Sequence, residues 1–133
     1  MVKYNHYLKE LGVEETDYPF NKTDDRYEPD EEGFVSAEFF SLNYTLALHI
    51  YSHLCYFRDN CVYGTPFGMD EKEWRETLNR MITAFALIIT EDEDCTKESA
   101  LCPEDRKITS KRRRRKIARG MRDFIKYFNA LAY

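Results

Sequence analysis

The sequence predicts an all-α fold, a small helical bundle with an extended acidic N-terminal arm. Three observations predict it: apolar residues recur every three or four positions in three long segments, one of these segments starts with a helix-capping signal, and residues 14–33 show neither helical nor strand periodicity. We expect one domain over residues 1–133, with a short helix and the arm in residues 1–35 and a three-helix core in residues 36–133.

A short amphipathic helix is predicted at the N-terminus. Its apolar residues have helical spacing and are followed by a glycine stop: Tyr4, Tyr7, Leu8, Leu11 and then Gly12. The acidic arm follows, because residues 9–38 carry eleven acidic residues against three basic ones, Lys9, Lys22 and Arg26. Aromatic residues within it should anchor the arm to the protein.

The next predicted helix begins at Ser36 or Ser41, either of which can cap it, and runs to Arg58. We expect its core-facing stripe to be Leu42, Leu46, His49 or Ile50, His53 or Leu54, and Phe57. A glycine- and proline-containing loop, residues 59–68, then separates this helix from the following one.

The following helix has the clearest start signal in the sequence. Asp70 as N-cap and Glu73 three residues later form a capping box, and Met69 and Trp74 occupy the positions of a hydrophobic staple. The predicted core stripe is Trp74, Leu78, Met81, Ile82, Phe85, Ile88 and Ile89. We expect the acidic segment after Thr90 to be a solvated loop.

The last helix should begin at Pro103, with proline at its first position and two acids in its first turn, and reach Leu131. Its second half has an apolar face formed by Ile117, Met121, Phe124, Ile125, Phe128 and Leu131. Gly120 interrupts this face, and a close helix crossing is the physical reason we expect for it.

Charge is concentrated on this last helix. Residues 103–126 hold eleven Lys and Arg against three acids, in a chain whose net charge is -4. One interpretation is a site for an external anion, gripped by guanidinium groups and by nearby aromatic rings. The other is neutralisation by the acidic arm, or a solvated face. The candidate ligand-binding residues are Arg112, Arg113, Arg114, Arg115, Arg119, Tyr56 and Tyr63.

Catalysis has no motif to support it. The sequence holds no nucleophile elbow, phosphate-binding loop or metalloprotease motif, so we expect a protein that is not an enzyme and uses no cofactor. The four cysteines lack zinc-site spacing, and a site formed by Cys55 or Cys61 with His49 and His53 is a minor alternative. The polar N-terminus and the lack of a long apolar run predict a cytoplasmic protein without a membrane partner.

Three segments carry a family resemblance: SLNYTLALHIYSHL at 41–54, WRETLNRMITAF at 74–85 and KIARGMRDFIKYFNAL at 116–131. Together they resemble a widespread group of small phage-encoded helical proteins, over residues 36–133. The resemblance implies a viral origin, a host cytoplasm and an all-helical fold, but it assigns no functional residue. The chain departs from the pattern because it lacks a tryptophan near its C-terminus and because its arginine run is unusually dense.

These observations predict a phage accessory or counter-defence protein that binds an anionic small molecule, such as a nucleotide signal, or a nucleic acid through its basic helix. The alternative is an inhibitor of a host protein, whose acidic aromatic arm mimics nucleic acid. The abundance of apolar and aromatic residues on the helices also predicts a homo-oligomer.

Overall fold

A computed structural model of the protein describes residues 2–21 and 25–132. In these residues, the α-helices are α1 His6–Leu11, α2 Leu42–Asn60, α3 Glu71–Ile89, α4 Glu91–Ser99 and α5 Pro103–Lys126. Short 3-10 helices cover Asp25–Tyr27, Ser36–Phe39 and Phe128–Ala130. The described residues contain no β-strand beyond one isolated antiparallel bridge between Pro29 and Val35. The predicted all-α class is confirmed.

The chain divides into two compact units, Met1–Ser52 and His53–Tyr133. The division falls within α2, which continues through it from Leu42 to Asn60.

In the first unit, α1 has the cap residues expected from its sequence. Asn5 Oδ1 accepts the Leu8 amide at 3.3 Å, and Gly12 ends the helix with a left-handed φ of 98° that favours glycine. The Tyr4 hydroxyl donates to the Val13 carbonyl at 2.8 Å, and the Tyr4 ring lies edge-on to Phe20. These contacts join the chain before α1 to the chain that follows it.

The region predicted to be an extended acidic arm consists of turns where the structure describes it. Pro19 and Phe20 are buried, and the Asp30 carboxylate accepts the amides of Glu32 and Phe34, both at 2.9 Å. Residues 22–24 lie outside the described residues.

The predicted core stripe of α2 is wrong in the first half of the helix, whereas Leu54, one of the residues that we placed in the core, is buried. Leu42 and Leu46, which we placed in the core, are exposed, whereas Thr45, Leu48, Ser52 and Cys55 on another face of the helix are buried. The buried hydroxyl of Ser52 donates to the Leu48 carbonyl at 3.0 Å, so this polar residue satisfies its hydrogen bond within the helix. Small residues allow this face to pack closely, although the opposite face has the stronger apolar pattern.

The core of the second unit lies between α3 and α5. The predicted α3 residues Trp74, Leu78, Met81, Ile82, Phe85 and Ile89 are buried, and the Asp70 carboxylate caps the helix by accepting the Glu73 amide at 2.7 Å. The helices run antiparallel, because Trp74 at the start of α3 contacts Tyr127, which follows α5, and Leu87 near the end of α3 lines a cleft with Arg113 in the first half of α5. Phe85 near the end of α3 contacts Phe124 edge-on, with ring centroids 5.2 Å apart.

Gly120 lies at the closest approach of α3 and α5. A Cβ atom there would overlap the Ala84 side chain and the Arg80 carbonyl, so only glycine fits without movement of α3. Beside it, Arg80 Nε donates to Asp123 Oδ2 at 2.7 Å. The predicted close crossing is confirmed. Ile125 and Phe128, which we assigned to the apolar face of the last helix, are exposed, and α5 ends at Lys126 rather than Leu131.

The acidic segment after Thr90 is a helix, not the loop we predicted. Its first turn contains Glu91, Asp92, Glu93 and Asp94, and negative charge is stabilised at the positive end of the helix dipole. Lys97 also pairs with Glu93 across one turn, at 3.2 Å. Acids that we interpreted as a solvated loop are therefore favourable residues at the N-terminus of α4.

Candidate functional site: a basic cleft in the second unit

A cleft of about 340 Å³ lies among α3, α4 and α5. From α5, one face of the helix contributes Thr109, Arg112, Arg113 and Lys116. Their spacing of three and four residues places their side chains beside each other along the cleft. Leu87 of α3 and Leu101, between α4 and α5, add apolar side chains to the lining. The cleft therefore combines an apolar lining with cations from a single helix face.

Arg113 is fixed in place by α4. Its Nε donates to Glu98 Oε1 at 2.9 Å, and a second guanidinium nitrogen donates to Glu98 Oε2 at 3.3 Å, which makes the pair bidentate. Glu91 lies 3.7 Å from a third nitrogen of the same guanidinium group. The Arg113 side chain is only 10% exposed and that of Glu98 9% exposed. α4 therefore supplies the counter-charge for the most buried arginine of the basic run.

The Glu98–Arg113 pair also sets the protonation of the glutamate. The hydrogen bond from Arg113 holds the pKa of Glu98 below its ordinary value of 4.5, although burial of the carboxyl group opposes this shift. The same hydrogen bond raises the pKa of Arg113 above its ordinary value. Both groups are therefore charged at neutral pH, and Arg113 is already occupied by a partner.

A second basic residue, Arg106, has a structural role. Its guanidinium group donates to the carbonyls of Glu98, Ser99 and Leu101 at 3.1–3.3 Å. These carbonyls lie at and after the end of α4, where a helix leaves backbone acceptors without intrahelical partners. Arg106 thus satisfies the C-terminal end of α4 and fastens it to α5.

The other cations of α5 face solvent. Arg114 donates to the Ser110 hydroxyl at 3.0 Å, and Lys126 lies over the Tyr127 ring. Among residues 2–21 and 25–132, the remaining cations of α5 make no ion pair: Lys107, Lys111, Arg112, Arg115, Lys116, Arg119 and Arg122. Two of them, Arg112 and Lys116, line the cleft together with the fixed Arg113.

The structure brings together only part of the predicted ligand site. Arg112 and Arg113 line the cleft, whereas Arg114, Arg115 and Arg119 are not among its lining residues. Tyr56 and Tyr63 do not line it either, and both rings are more than half exposed. The arginine run is divided because successive residues of a helix point in different directions.

Several cleft residues were missed from the sequence. Thr109 and Lys116 lie three residues before and four residues after Arg112, so helical spacing alone would have found them. Lys97, Asp94 and Glu98 were missed because we interpreted their helix as a loop. Counting the charged lining residues gives four cations and two anions, so the cleft is net positive.

In the part of the chain that the structure describes, no group of three or more His, Cys, Asp or Glu side chains is placed to hold a metal ion. Among the described residues no disulfide joins the four cysteines: Cys55 is buried, Cys61 is half-buried, and Cys95 and Cys102 are exposed. Over the described ranges, no helix has both the length and the apolar character needed to cross a membrane.

Comparison with known proteins finds no matching family model, curated protein or solved structure.

Proposed function

We propose that this protein is a non-enzymatic binding protein that holds a phosphate-bearing ligand in the basic cleft of the second unit. The observation that carries the proposal is that Arg112 and Lys116, without ion pairs among the described residues, line the same cleft as an arginine already fixed by α4. Guanidinium and ammonium groups held on one rigid helix face can contact a phosphate with little loss of side-chain freedom.

The lining of the cleft favours a small ligand with an apolar or planar part. Its volume of about 340 Å³ lies at the lower end of the range for small-molecule sites, about 300–1,000 Å³. Leu87 and Leu101 offer apolar contact, and the Thr109 hydroxyl can donate to or accept from a polar group. A nucleotide combines these features, because its base can lie against the leucines while its phosphate meets Arg112 and Lys116.

A binding assay with paired variants tests the proposal. We expect Arg112→Gln with Lys116→Gln to weaken binding of a nucleotide at least about tenfold, since each charge-assisted contact contributes about 1.5–3 kcal/mol. Arg115→Gln with Arg119→Gln removes the same charge from the same helix outside the cleft lining, and it should change the affinity much less. Isothermal titration calorimetry with cyclic dinucleotides, ADP-ribose and short DNA or RNA measures both pairs.

Two results would contradict ligand binding in the cleft. Equal losses in the two double variants would indicate a diffuse electrostatic surface, such as one that binds nucleic acid without a pocket. If the unaltered protein binds none of the tested nucleotides or nucleic acids, the proposal is wrong. Affinity for a nucleotide should fall as salt rises, although less steeply than for a long nucleic acid, because fewer phosphates are contacted.

The resemblance to small phage-encoded proteins supports a biological setting for this binding. A phage protein that sequesters a host nucleotide signal in the host cytoplasm would act as a counter-defence protein without catalysis. Expression of the protein with the Arg112→Gln and Lys116→Gln changes should then lose any protection of a phage against a nucleotide-signalled defence. Protection that survives these changes would separate the counter-defence role from the cleft.

A second candidate function rests on the first unit. The acids of residues 25–33 are exposed, and the neighbouring Pro19 and Phe20 are buried, which anchors part of the predicted acidic arm. Exposed carboxylates beside exposed aromatic rings resemble a nucleic-acid surface and suit a basic host protein. This protein-inhibitor role would be favoured if the nucleotide panel fails and if replacing Glu28, Asp30, Glu31 and Glu32 by their amides abolishes activity in infected cells.

A further inference from the structure

The first unit exposes five large apolar side chains, each of them about half exposed or more. We define this apolar face as Phe34, Phe39, Phe40, Leu42 and Leu46, each between 43% and 67% exposed. The Phe34 and Phe39 rings lie 6.1 Å apart, and the Arg26 guanidinium group lies over the Phe40 ring. Leu42 and Leu46 are one turn apart on α2, so their side chains are neighbours.

The chemistry of the segment that carries most of this face is unusual for a protein surface. No Asp, Glu, Lys or Arg occurs between Phe39 and Phe57, in a chain whose charged residues make up 33% of the total. A solvated helix face normally carries charge, because monomeric proteins seldom expose contiguous apolar areas larger than a few hundred Å². The lack of charge therefore indicates a surface that is covered in the working protein.

Rotation of α2 within its unit cannot cover the apolar face. Another face of the helix is already packed, since Thr45, Leu48 and Ser52 are buried. Turning Leu42 and Leu46 inward would expose Leu48 and move the Thr45 hydroxyl away from the Glu38 carbonyl that it meets at 3.5 Å. A second surface is needed.

The size of the face suits pairing of two small proteins. A large apolar or aromatic side chain about half exposed contributes roughly 100 Å², so five contribute roughly 500 Å² in each copy. Two such faces together approach about 1,000 Å², which is the lower limit for a specific interface. The interface needs the whole face on both partners.

We propose that the apolar face packs against the same face of a second copy of this chain, in a two-fold symmetric contact. A symmetric contact brings each residue near its own equivalent, so it requires a surface without charge at its centre, and α2 provides one. Homodimer interfaces are also more apolar than interfaces with transient partners, which favours a second copy over a foreign protein. This inference does not depend on the anion cleft.

Salt provides a distinctive test of this interface. Residues 1–52 contain eleven acids against four basic residues, so two copies joined through the first unit repel each other at long range. Salt screens this repulsion without weakening apolar contact. We expect dimerisation to strengthen between about 0.05 M and about 0.5 M salt. Anion binding at the cleft should weaken over the same range.

Analytical ultracentrifugation of the full chain measures the oligomer directly. We expect a dimer at micromolar concentration, and a monomer for Leu46→Glu, which would bury a carboxylate beside its own equivalent at the two-fold axis. The matched control is Phe67→Glu, the same change of charge at a fully exposed aromatic residue of the second unit, and it should remain a dimer. Circular dichroism checks that both variants keep their helices.

A second variant and a second measurement keep the test informative if Leu46→Glu does not fold. Phe40→Ser removes an exposed ring without adding charge, and it should raise the dissociation constant at least about tenfold. Amide hydrogen exchange at residues 42–50 should become slower as the protein concentration rises. The proposal is overturned if the unaltered protein is a monomer with concentration-independent exchange, if both variants remain full dimers, or if the dimer dissociates as salt rises.

Discussion

At the scale of the residue, position on a helix decides what each arginine does. Arg106 donates hydrogen bonds to the carbonyls at the end of α4, and Arg113 pairs with Glu98. Arg112 lines the cleft without an ion pair among the described residues. The sequence predicted the surplus of positive charge, but a run of identical residues does not reveal these three roles. Their differences arise from the acids and carbonyls of α4, the helix that we interpreted as a loop.

The Glu98–Arg113 pair should make stability depend on pH. Because the pKa of Glu98 is lower in the folded protein than its ordinary value of 4.5, the stabilisation is present above pH 4.5 and is lost as pH falls through the folded value. We expect Glu98→Gln to lower the melting temperature at pH 7, and we expect the difference from the unaltered protein to shrink as pH falls below 4.5.

A control for this prediction is Glu93→Gln, which removes an exposed carboxylate that pairs with Lys97 on the same helix. It should change the melting temperature little at either pH, because exposed ion pairs contribute about 0–1 kcal/mol. Thermal unfolding followed by circular dichroism measures all three proteins. A difference between Glu98→Gln and the unaltered protein that stays constant from neutral to acidic pH would contradict the assigned role of the ion pair.

At the scale of the element, the predictable helices are those whose start signal and buried stripe agree. α3 has both, since Asp70 caps it and its apolar stripe is buried. α5 begins at Pro103 as its sequence indicates, but its last turns are less buried than their apolar character suggests. α4 was missed because its acids stabilise a helix through the dipole and through contact with α5, neither of which apolar periodicity detects.

The error in α2 has a different origin. Periodicity finds the apolar stripe containing Leu42 and Leu46, but it does not show whether that stripe meets its own chain or another molecule. The face that is buried contains Thr45 and Ser52, whose small size permits close packing and whose hydroxyls bond to nearby carbonyls. The misassigned face is the one that we propose as a dimer interface.

The cap of α3 gives a prediction at this scale. Asp70→Ala removes the acceptor of the Glu73 amide, and we expect it to reduce the free energy of unfolding by about 1 kcal/mol. For a chain of this size the melting temperature should fall by about 4 °C. Asp70→Asn keeps a side-chain oxygen at the cap and should lie close to the unaltered protein. Equal stability of all three proteins would show that the cap contributes nothing measurable.

At the scale of the whole molecule, the acidic surplus of residues 9–38 and the basic surplus of residues 103–126 allow two interpretations. Either the basic residues bind an external anion, or the acidic residues neutralise them within the chain. Within the second unit, α4 supplies two acids for Arg113, Glu98 at 2.9 Å and Glu91 at 3.7 Å, so this arginine is paired inside its own unit. The exposed cations of α5 still repel each other, since like charges three or four residues apart destabilise a helix by about 0.2–0.5 kcal/mol per pair. Such repulsion is tolerable, and binding of an anion would relieve it.

Removing exposed charge from α5 therefore separates an external anion from internal neutralisation. We expect the combined change of Arg112, Arg115 and Arg119 to Gln to leave the melting temperature unchanged or slightly raised, because it removes repulsion and no observed ion pair. Arg113→Gln should lower the melting temperature, because it leaves the buried Glu98 without its partner. Limited proteolysis followed by mass spectrometry reports the state of residues 14–33. If the triple change lowers stability and makes residues 14–33 sensitive to protease, those residues neutralise α5 within the chain, and the exposed cations are not held ready for a ligand.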